Sequence, residues 1–85
     1  MPTQAGEKII GSVQCNFYST TYLGAGRISA KNKTQAHIEL LKEAKKLYAG
    51  NIDVKNISVA YVGISVEYGN EFTASGTVVL LDETW

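Results

Sequence analysis

Cysteine and histidine each occur only once in this sequence of 85 residues, as Cys15 and His37. A disulfide within one chain is therefore excluded, and a structural zinc site lacks the four Cys or His ligands that it normally takes. Either device commonly stabilises a domain of this size, which buries only about 60–65% of its unfolded surface. Because both are missing, we expect assembly with other subunits to supply part of the stability.

Net charge is absent too, since eight basic residues balance eight acidic residues. A nucleic-acid-binding domain usually concentrates an excess of Lys and Arg on one face. The densest basic stretch here consists of Lys42, Lys45 and Lys46, and Glu39 and Glu43 lie among them. That mixture is typical of a solvated helix face. We therefore expect no nucleic acid as a partner.

Long apolar runs are also missing. No run approaches the ~18 residues of a membrane span, and the first eight residues contain no apolar segment of a signal peptide. Met1-Pro2 fits a native start and an expression start that replaces a removed leader equally well. A single cysteine fits a reducing cytoplasm and an envelope protein that avoids disulfides, so the sequence leaves the compartment open.

What is present describes a globular chain, with 45% hydrophobic and 19% charged residues. We expect one domain over residues 1–85, with residues 1–7 as a flexible arm. From residue 8 to residue 18 apolar and polar residues alternate, which predicts a half-buried strand. Cys15 falls on the apolar face of that strand together with Val13 and Phe17, where a thiol behaves as a small hydrophobe.

Residues 19–31 form a long connection that contains Gly24 and Gly26. Loops of this length are often functional, and Arg27, Lys31 and the amides at the start of the following helix could together meet an anion. The segment lacks the third glycine and the immediate helix of a dinucleotide-binding loop. We therefore expect no cofactor. A flexible loop with turn glycines is the alternative interpretation.

An amphipathic helix is predicted over residues 33–48. Asn32 is a good N-cap residue, and Gln35 completes a capping box. Gly50 supplies the C-terminal stop. The apolar stripe of this helix has helical spacing and consists of Ala36, Leu40, Leu41, Ala44, Leu47 and Tyr48.

Two β-rich runs, 54–68 and 71–81, flank Gly69-Asn70, which is a typical two-residue hairpin loop. This turn predicts that Tyr61 lies opposite Val78 and Val59 opposite Leu80. Small residues at Gly63, Ala74 and Gly76 would let the helix approach the sheet closely. The first strand lies either parallel beside the second, through a right-handed crossover, or beside the third.

The predicted outer face of this hairpin is more apolar than ordinary solvent surface. It contains Val62, Ile64, Val66, Tyr68 and Val79. Two explanations remain open: a bulge near Gly63 changes the phase of the strand and turns part of the set inward, or another subunit or a ligand covers the face. Under the second explanation, Val62, Ile64, Val66 and Tyr68 form an interface.

No set of residues matches a catalytic centre. Cys15 and His37 are the only possible Cys–His pair, and they fall on a strand and on a helix with no electropositive neighbour in sequence to activate the thiol. Metal coordination by His37 would need carboxylates from elsewhere. We therefore predict neither an enzyme nor a metal site.

Short segments of the sequence resemble small bacterial β-α-β-β domains of the YbjQ type, which are described as heavy-metal-binding, and periplasmic or lipoprotein domains of the YhcN type. The resemblance covers about residues 8–81. It rests on Ile10-Gly11-Ser12-Val13, Ala44-Lys45-Lys46, the run from Asn51 to Ile57, and the run from Ala74 to Val79. It implies the fold, a tendency to oligomerise and a place in the cell envelope, whereas the single Cys and His give metal binding no support.

The sequence thus predicts an α+β domain of order β-α-β-β, with one amphipathic helix packed on a three-stranded sheet and a C-terminal β-hairpin. We expect a non-catalytic interaction or assembly module of the bacterial cell envelope, with a homo-oligomer or another protein as its partner. The alternative is an oligomeric protein that binds a small molecule, an anion or a metal through loop 19–31.

Overall fold

The computed structural model describes residues 7–81 and places one α-helix on one face of a three-stranded antiparallel sheet. Along the chain the elements are β1 (Glu7–Ser19), α1 (Ala30–Leu47), β2 (Ile52–Ser65) and β3 (Gly69–Leu81). This order and the C-terminal hairpin confirm the predicted fold class. Of the predicted flexible arm, residues 1–6 lie outside the described residues, and Glu7 belongs to β1.

Strand β3 lies in the centre of the sheet, between β1 and β2. Both pairings are antiparallel, and Ala74 of β3 has Cys15 on one side and Val59 on the other. Of the two arrangements that the sequence left open, the one with the first strand beside the third is therefore the observed one. Strands β1 and β2 form the two edges of the sheet.

The core lies between the inner face of the sheet and one stripe of α1. Ala36, Leu40 and Ala44 of the helix are completely buried, and Leu41, Tyr48 and Cys15 pack against this cluster from its margin. Leu47, predicted to belong to the stripe, is 62% exposed. The sheet contributes the buried residues Val13, Phe17, Ile52, Val54, Phe72, Ala74 and Val78.

The helix begins three residues earlier than predicted, and its N-cap is Ser29 instead of Asn32. The hydroxyl of Ser29 accepts a hydrogen bond from the amide of Asn32 at 3.1 Å. Asn32 is completely buried in the first turn, where its Nδ2 donates to the carbonyl of Thr21 at 2.8 Å. Asn32 therefore ties the helix to the preceding loop.

The hairpin turn lies at residues 66–68, which corrects the predicted turn at Gly69-Asn70. Ser65 pairs with Gly69, and the hydroxyl of Ser65 accepts hydrogen bonds from the amides of Glu67 and Tyr68, both at 3.3 Å. Gly69 has φ +91°, a conformation that favours glycine. The glycine thus closes the turn from within β3.

The change of turn also corrects the predicted register of β2 against β3. Tyr61 lies opposite Phe72 instead of Val78, and Val59 lies opposite Ala74 instead of Leu80. Two irregularities interrupt the pairing, one between Lys55 and Ser58 and one between Tyr61 and Gly63. The second lies near Gly63, where one of the two explanations left open by the sequence put a bulge.

Candidate functional site

The end of the β2–β3 hairpin exposes the largest concentration of apolar side chains among the described residues. Val62 is 53% exposed, Ile64 77% and Tyr68 61%, and Val66 is completely exposed. We call residues 62–68 the hairpin end. These four side chains are the predicted interface residues, and the structure leaves them all open to solvent.

The bulge at Val62 distributes these side chains differently from the prediction of one outer face. Ile64 lies opposite Asn70, two residues from the buried Phe72, and therefore points to the helix side of the sheet. The bulge does turn Ile64 to that side, but Ile64 stays exposed. Val66 and Tyr68 lie in the turn itself. The four exposed apolar side chains of the hairpin end thus point in several directions and do not share one face of the sheet.

The outer face of the sheet is otherwise polar, which also differs from the prediction. The residues of β1 and β3 that alternate with the buried ones are mostly hydroxyl or amide side chains. Val79, predicted on the outer face, is only 3% exposed, and Ile9, which pairs with it, is the apolar exception at 70% exposed. This polar surface includes Ser12, Gln14, Asn16, Thr73, Ser75 and Thr77. Other exposed apolar side chains lie apart from one another in the chain, at Ile9, Leu23, Ile38 and Leu47, whereas four such side chains fall within seven residues at the hairpin end.

Tyr18 of β1 extends the hairpin end towards the first strand, and sequence reasoning did not select it. Its ring lies 5.1 Å from the ring of Tyr68, and Tyr18 is 42% exposed. Beside this pair, Asn16 donates a hydrogen bond to the carboxylate of Glu71 at 2.8 Å. The signal available in the sequence was only the number of tyrosines, because their contact depends on the register.

A packed aromatic cluster lies next to the hairpin end, between it and the rest of the core. The rings of Tyr22 and Tyr61 stack with centroids 3.9 Å apart, and Phe17 and Phe72 stack at 5.3 Å. Next to the cluster, Asn70 accepts a hydrogen bond from the hydroxyl of Tyr61. Aromatic pairs of this kind add stability beyond the area that they bury. The base of the hairpin end is therefore well packed.

Residues 24–27, which contain three of the four residues of the predicted anion site, form a tight turn. The amide of Arg27 donates to the carbonyl of Gly24 at 3.0 Å, and the amide of Gly26 donates to the hydroxyl of Tyr22 at 3.0 Å. Gly24, Ala25 and Gly26 all have positive φ. The glycines thus serve the turn, and the two amides already have partners.

The two cations of the predicted anion site, Arg27 and Lys31, do not form a defined pocket with its glycines. The guanidinium of Arg27 donates to the carbonyl of Leu23 at 3.3 Å, and Lys31 lies exposed in the first turn of α1. At the start of the helix, the amide of Asn32 already donates a hydrogen bond to the hydroxyl of Ser29. Binding of an anion by Arg27, Lys31, Gly24 and Gly26 stays a prediction.

Two ionisable side chains of the described residues, Cys15 and Asp53, have a shifted pKa. Burial, with the charges of Glu39 and Glu43, raises the pKa of the Cys15 thiol, so Cys15 stays a protonated thiol at neutral pH. The hydrogen bond from His37 lowers the pKa of Asp53, since it stabilises the carboxylate. Nε2 of His37 lies 3.0 Å from Oδ1 of Asp53. Within residues 7–81, no group of three His, Cys, Asp or Glu side chains is placed to hold a metal ion.

A groove runs between α1 and the edge strand β2, and sequence reasoning did not predict it. Its volume is about 340 Å³. Ile28, Ile57 and Val59 give it an apolar floor that continues into the core. Lys33, Thr34 and His37 of α1 form its polar side. We call this the α1–β2 groove.

No family model, curated protein or solved structure matches this chain. The resemblance to YbjQ-type and YhcN-type domains therefore stays a prediction from short motifs. Among residues 7–81, the helix found is too polar to be a candidate for crossing a membrane.

Proposed function

We propose that this chain is a non-catalytic interaction and assembly module that binds other protein subunits through its hairpin end. The observation that carries the proposal is the exposure of Val62, Ile64, Val66 and Tyr68 at one end of the molecule. Large apolar side chains that are gathered and exposed at one end of a soluble protein indicate a site of interaction. Scattered apolar residues on an otherwise polar face would carry no such meaning.

The composition of the hairpin end favours a protein as the partner. Tyrosine is enriched at the centres of protein interfaces, and Tyr18 and Tyr68 lie against each other here. The adjacent charges are the carboxylates of Glu67 and Glu71. Carboxylates disfavour contact with anionic nucleic acid or an anionic lipid surface.

The condition of the ionisable groups favours a role without catalysis. A catalytic Cys needs a lowered pKa, whereas burial raises that of Cys15. A carboxylate that acts as a general base near neutral pH needs a raised pKa, whereas that of Asp53 is lowered. A place in the bacterial cell envelope is a further part of this proposal, and it rests on the sequence resemblance alone.

The substitution Ile64→Lys tests the proposal. We expect the wild-type protein to self-associate in sedimentation velocity. A lysine at this exposed position puts a charge among the apolar side chains of the hairpin end, and it should abolish that self-association. Ser58→Lys is the matched control, because Ser58 is an exposed residue of the same strand outside the hairpin end. We expect the control to assemble as the wild type does.

Circular dichroism separates a lost interface from a lost fold. We expect both variants to keep the helix signal of α1. If Ile64→Lys assembles like the wild type, the hairpin end is not the interface. If this variant loses its helix signal, Ile64 supports the fold and the proposal loses its main observation.

A further inference from the structure

The α1–β2 groove and the hairpin end are chemically complementary. The groove combines the apolar floor of Ile28, Ile57 and Val59 with the ammonium of Lys33 at its side. The hairpin end presents the exposed side chain of Val66 next to the exposed carboxylate of Glu67. Neither Lys33 nor Glu67 belongs to an ion pair formed within residues 7–81. The cation of the groove could thus pair with the carboxylate of the hairpin end, and the apolar floor could cover the side chain of Val66.

The hairpin end cannot reach the groove of its own chain. Strands β2 and β3 stay paired as far as Ser65 and Gly69, which holds the hairpin extended. Val59, at the groove, and Val66, at the turn, are separated by about 23 Å at the usual rise of a strand. A contact between the two surfaces therefore has to join different molecules.

We propose that the hairpin end of one copy of this chain docks into the α1–β2 groove of a second copy, with Val66 on the apolar floor and Glu67 beside Lys33. This inference rests on the proposed function and names the partner of the hairpin end. The contact is heterologous, because it joins different surfaces of the two copies. Such contacts build closed rings or open filaments.

Charge decides between this contact and a symmetric one. A two-fold contact between two hairpin ends would bring the carboxylates of Glu67 and Glu71 close to their own counterparts, and like charges at an interface are repulsive. Docking in the groove places Glu67 near a lysine instead. The fully exposed Val66 also loses its contact with water there.

Charge reversal in two separate variants tests the contact. Glu67→Lys places two cations at the proposed contact, and Lys33→Glu places two anions there. Each variant alone should therefore associate more weakly than the wild type, by up to about fivefold. In an equimolar mixture every contact between unlike copies again joins opposite charges. We therefore expect the mixture to regain wild-type assembly in sedimentation velocity.

Two controls accompany this experiment. Lys45→Glu reverses a charge on an exposed part of α1 away from the groove, and it should neither weaken assembly nor rescue Glu67→Lys in a mixture. Thr34→Trp fills the groove from an exposed position and should block assembly without a change in charge. Circular dichroism checks that each variant is folded.

The outcomes separate this inference from the proposed function. If Ile64→Lys abolishes assembly while Lys33→Glu and Thr34→Trp leave it unchanged, the hairpin end is an interface but does not dock in the groove. If each charge variant is weakened and the mixture is not restored, the proposed pairing of Glu67 with Lys33 is wrong. A wild-type protein that stays monomeric up to about 1 mM, where even millimolar contacts appear, overturns the inference.

Discussion

Ser29 and Asn32 hold the beginning of α1 through two different hydrogen bonds. Ser29 caps the helix by accepting from the amide of Asn32, and the side chain of Asn32 reaches back to the carbonyl of Thr21. Asn32 is completely buried, and its Oδ1 accepts no hydrogen bond from the described residues. The two residues therefore contribute to stability in different ways, and the contributions can be measured separately.

We expect Ser29→Ala to lower the free energy of unfolding by about 1 kcal/mol, the usual cost of a lost cap. Asn32→Ala should lower it by about 2 kcal/mol, because it leaves the carbonyl of Thr21 unpaired and opens a cavity, while removal of the unpaired Oδ1 offsets part of the loss. Urea denaturation measures both values. A larger effect for Ser29→Ala would contradict these roles.

Asp53 links the stability of the folded chain to acid pH. Its pKa lies below the ordinary value of 3.8, first because of the hydrogen bond with His37 and also because of the amide of Val54. The unfolded chain therefore binds a proton at Asp53 more readily than the folded chain does. This contribution is present above pH 3.8 and is lost as the pH falls through the lowered pKa.

Asp53→Asn should flatten the fall of stability below about pH 4 relative to the wild type. Asp53 is 30% and His37 46% exposed, so we expect a difference of no more than about 1 kcal/mol. Urea denaturation at a series of pH values from 2 to 6 measures it. Parallel pH profiles for the two proteins would show that the pair makes no contribution to acid stability.

At the scale of elements, strong periodicity allowed the strand-helix-strand-strand order to be predicted, and the turn did not follow from it. Gly69-Asn70 has the composition of a two-residue loop, but Gly69 adopts its positive φ as the first residue of β3. Ser65, which binds two turn amides, was the available signal for the longer turn. Asn56, with φ +54°, similarly marked the other irregularity of β2.

The roles of the glycines in the sheet also could not be predicted from the sequence, because they depend on how the strands pair. The sequence predicted that Gly63 and Gly76 allow close approach of the helix. In the structure a Cβ at Gly76 would collide with the side chain of Val54 in the neighbouring strand, whereas a Cβ at Gly63 would meet no atom within 4 Å. A close approach instead involves Gly11, where a Cβ would collide with the ring of Tyr48, the residue that follows α1. Such contacts depend on the register, which a wrong turn displaces.

We expect Gly76→Ala to lower the free energy of unfolding by about 1–3 kcal/mol, because Val54 lies in the core and has little room to move. Gly63→Ala is the control and should be neutral or stabilising by up to about 1 kcal/mol, since alanine restricts the unfolded chain. Thermal and urea denaturation measure both. Equal effects of the two substitutions would contradict the observed register.

At the scale of the whole molecule, the shape explains why one end is uncovered. The domain measures 51 × 24 × 15 Å and has a radius of gyration of 15.0 Å, against about 12 Å for a compact domain of this length. The 18 residues of α1 span about 27 Å, while the 13 residues of β3 span about 43 Å. One helix therefore cannot cover the full length of the sheet.

The position of the helix decides which end remains open. Gln35, near the start of α1, donates to the carbonyl of Tyr18, and Tyr48, at its end, donates to the carbonyl of Ser12. The helix and the aromatic cluster thus cover the sheet up to about Tyr61, and the hairpin end lies beyond them. The sequence identified the four apolar residues as unusual. Their gathering around one end could not be predicted, because it depends on the bulge at Val62 and on the turn.

NMR of the ¹⁵N-labelled protein over a dilution series tests whether this uncovered end is an interface. We predict that the amide signals of residues 62–68 shift with protein concentration, together with those that line the α1–β2 groove, while those of the polar outer face stay fixed. Signals that are independent of concentration up to about 1 mM, or shifts confined to β1, would show that the hairpin end is not an interface between copies.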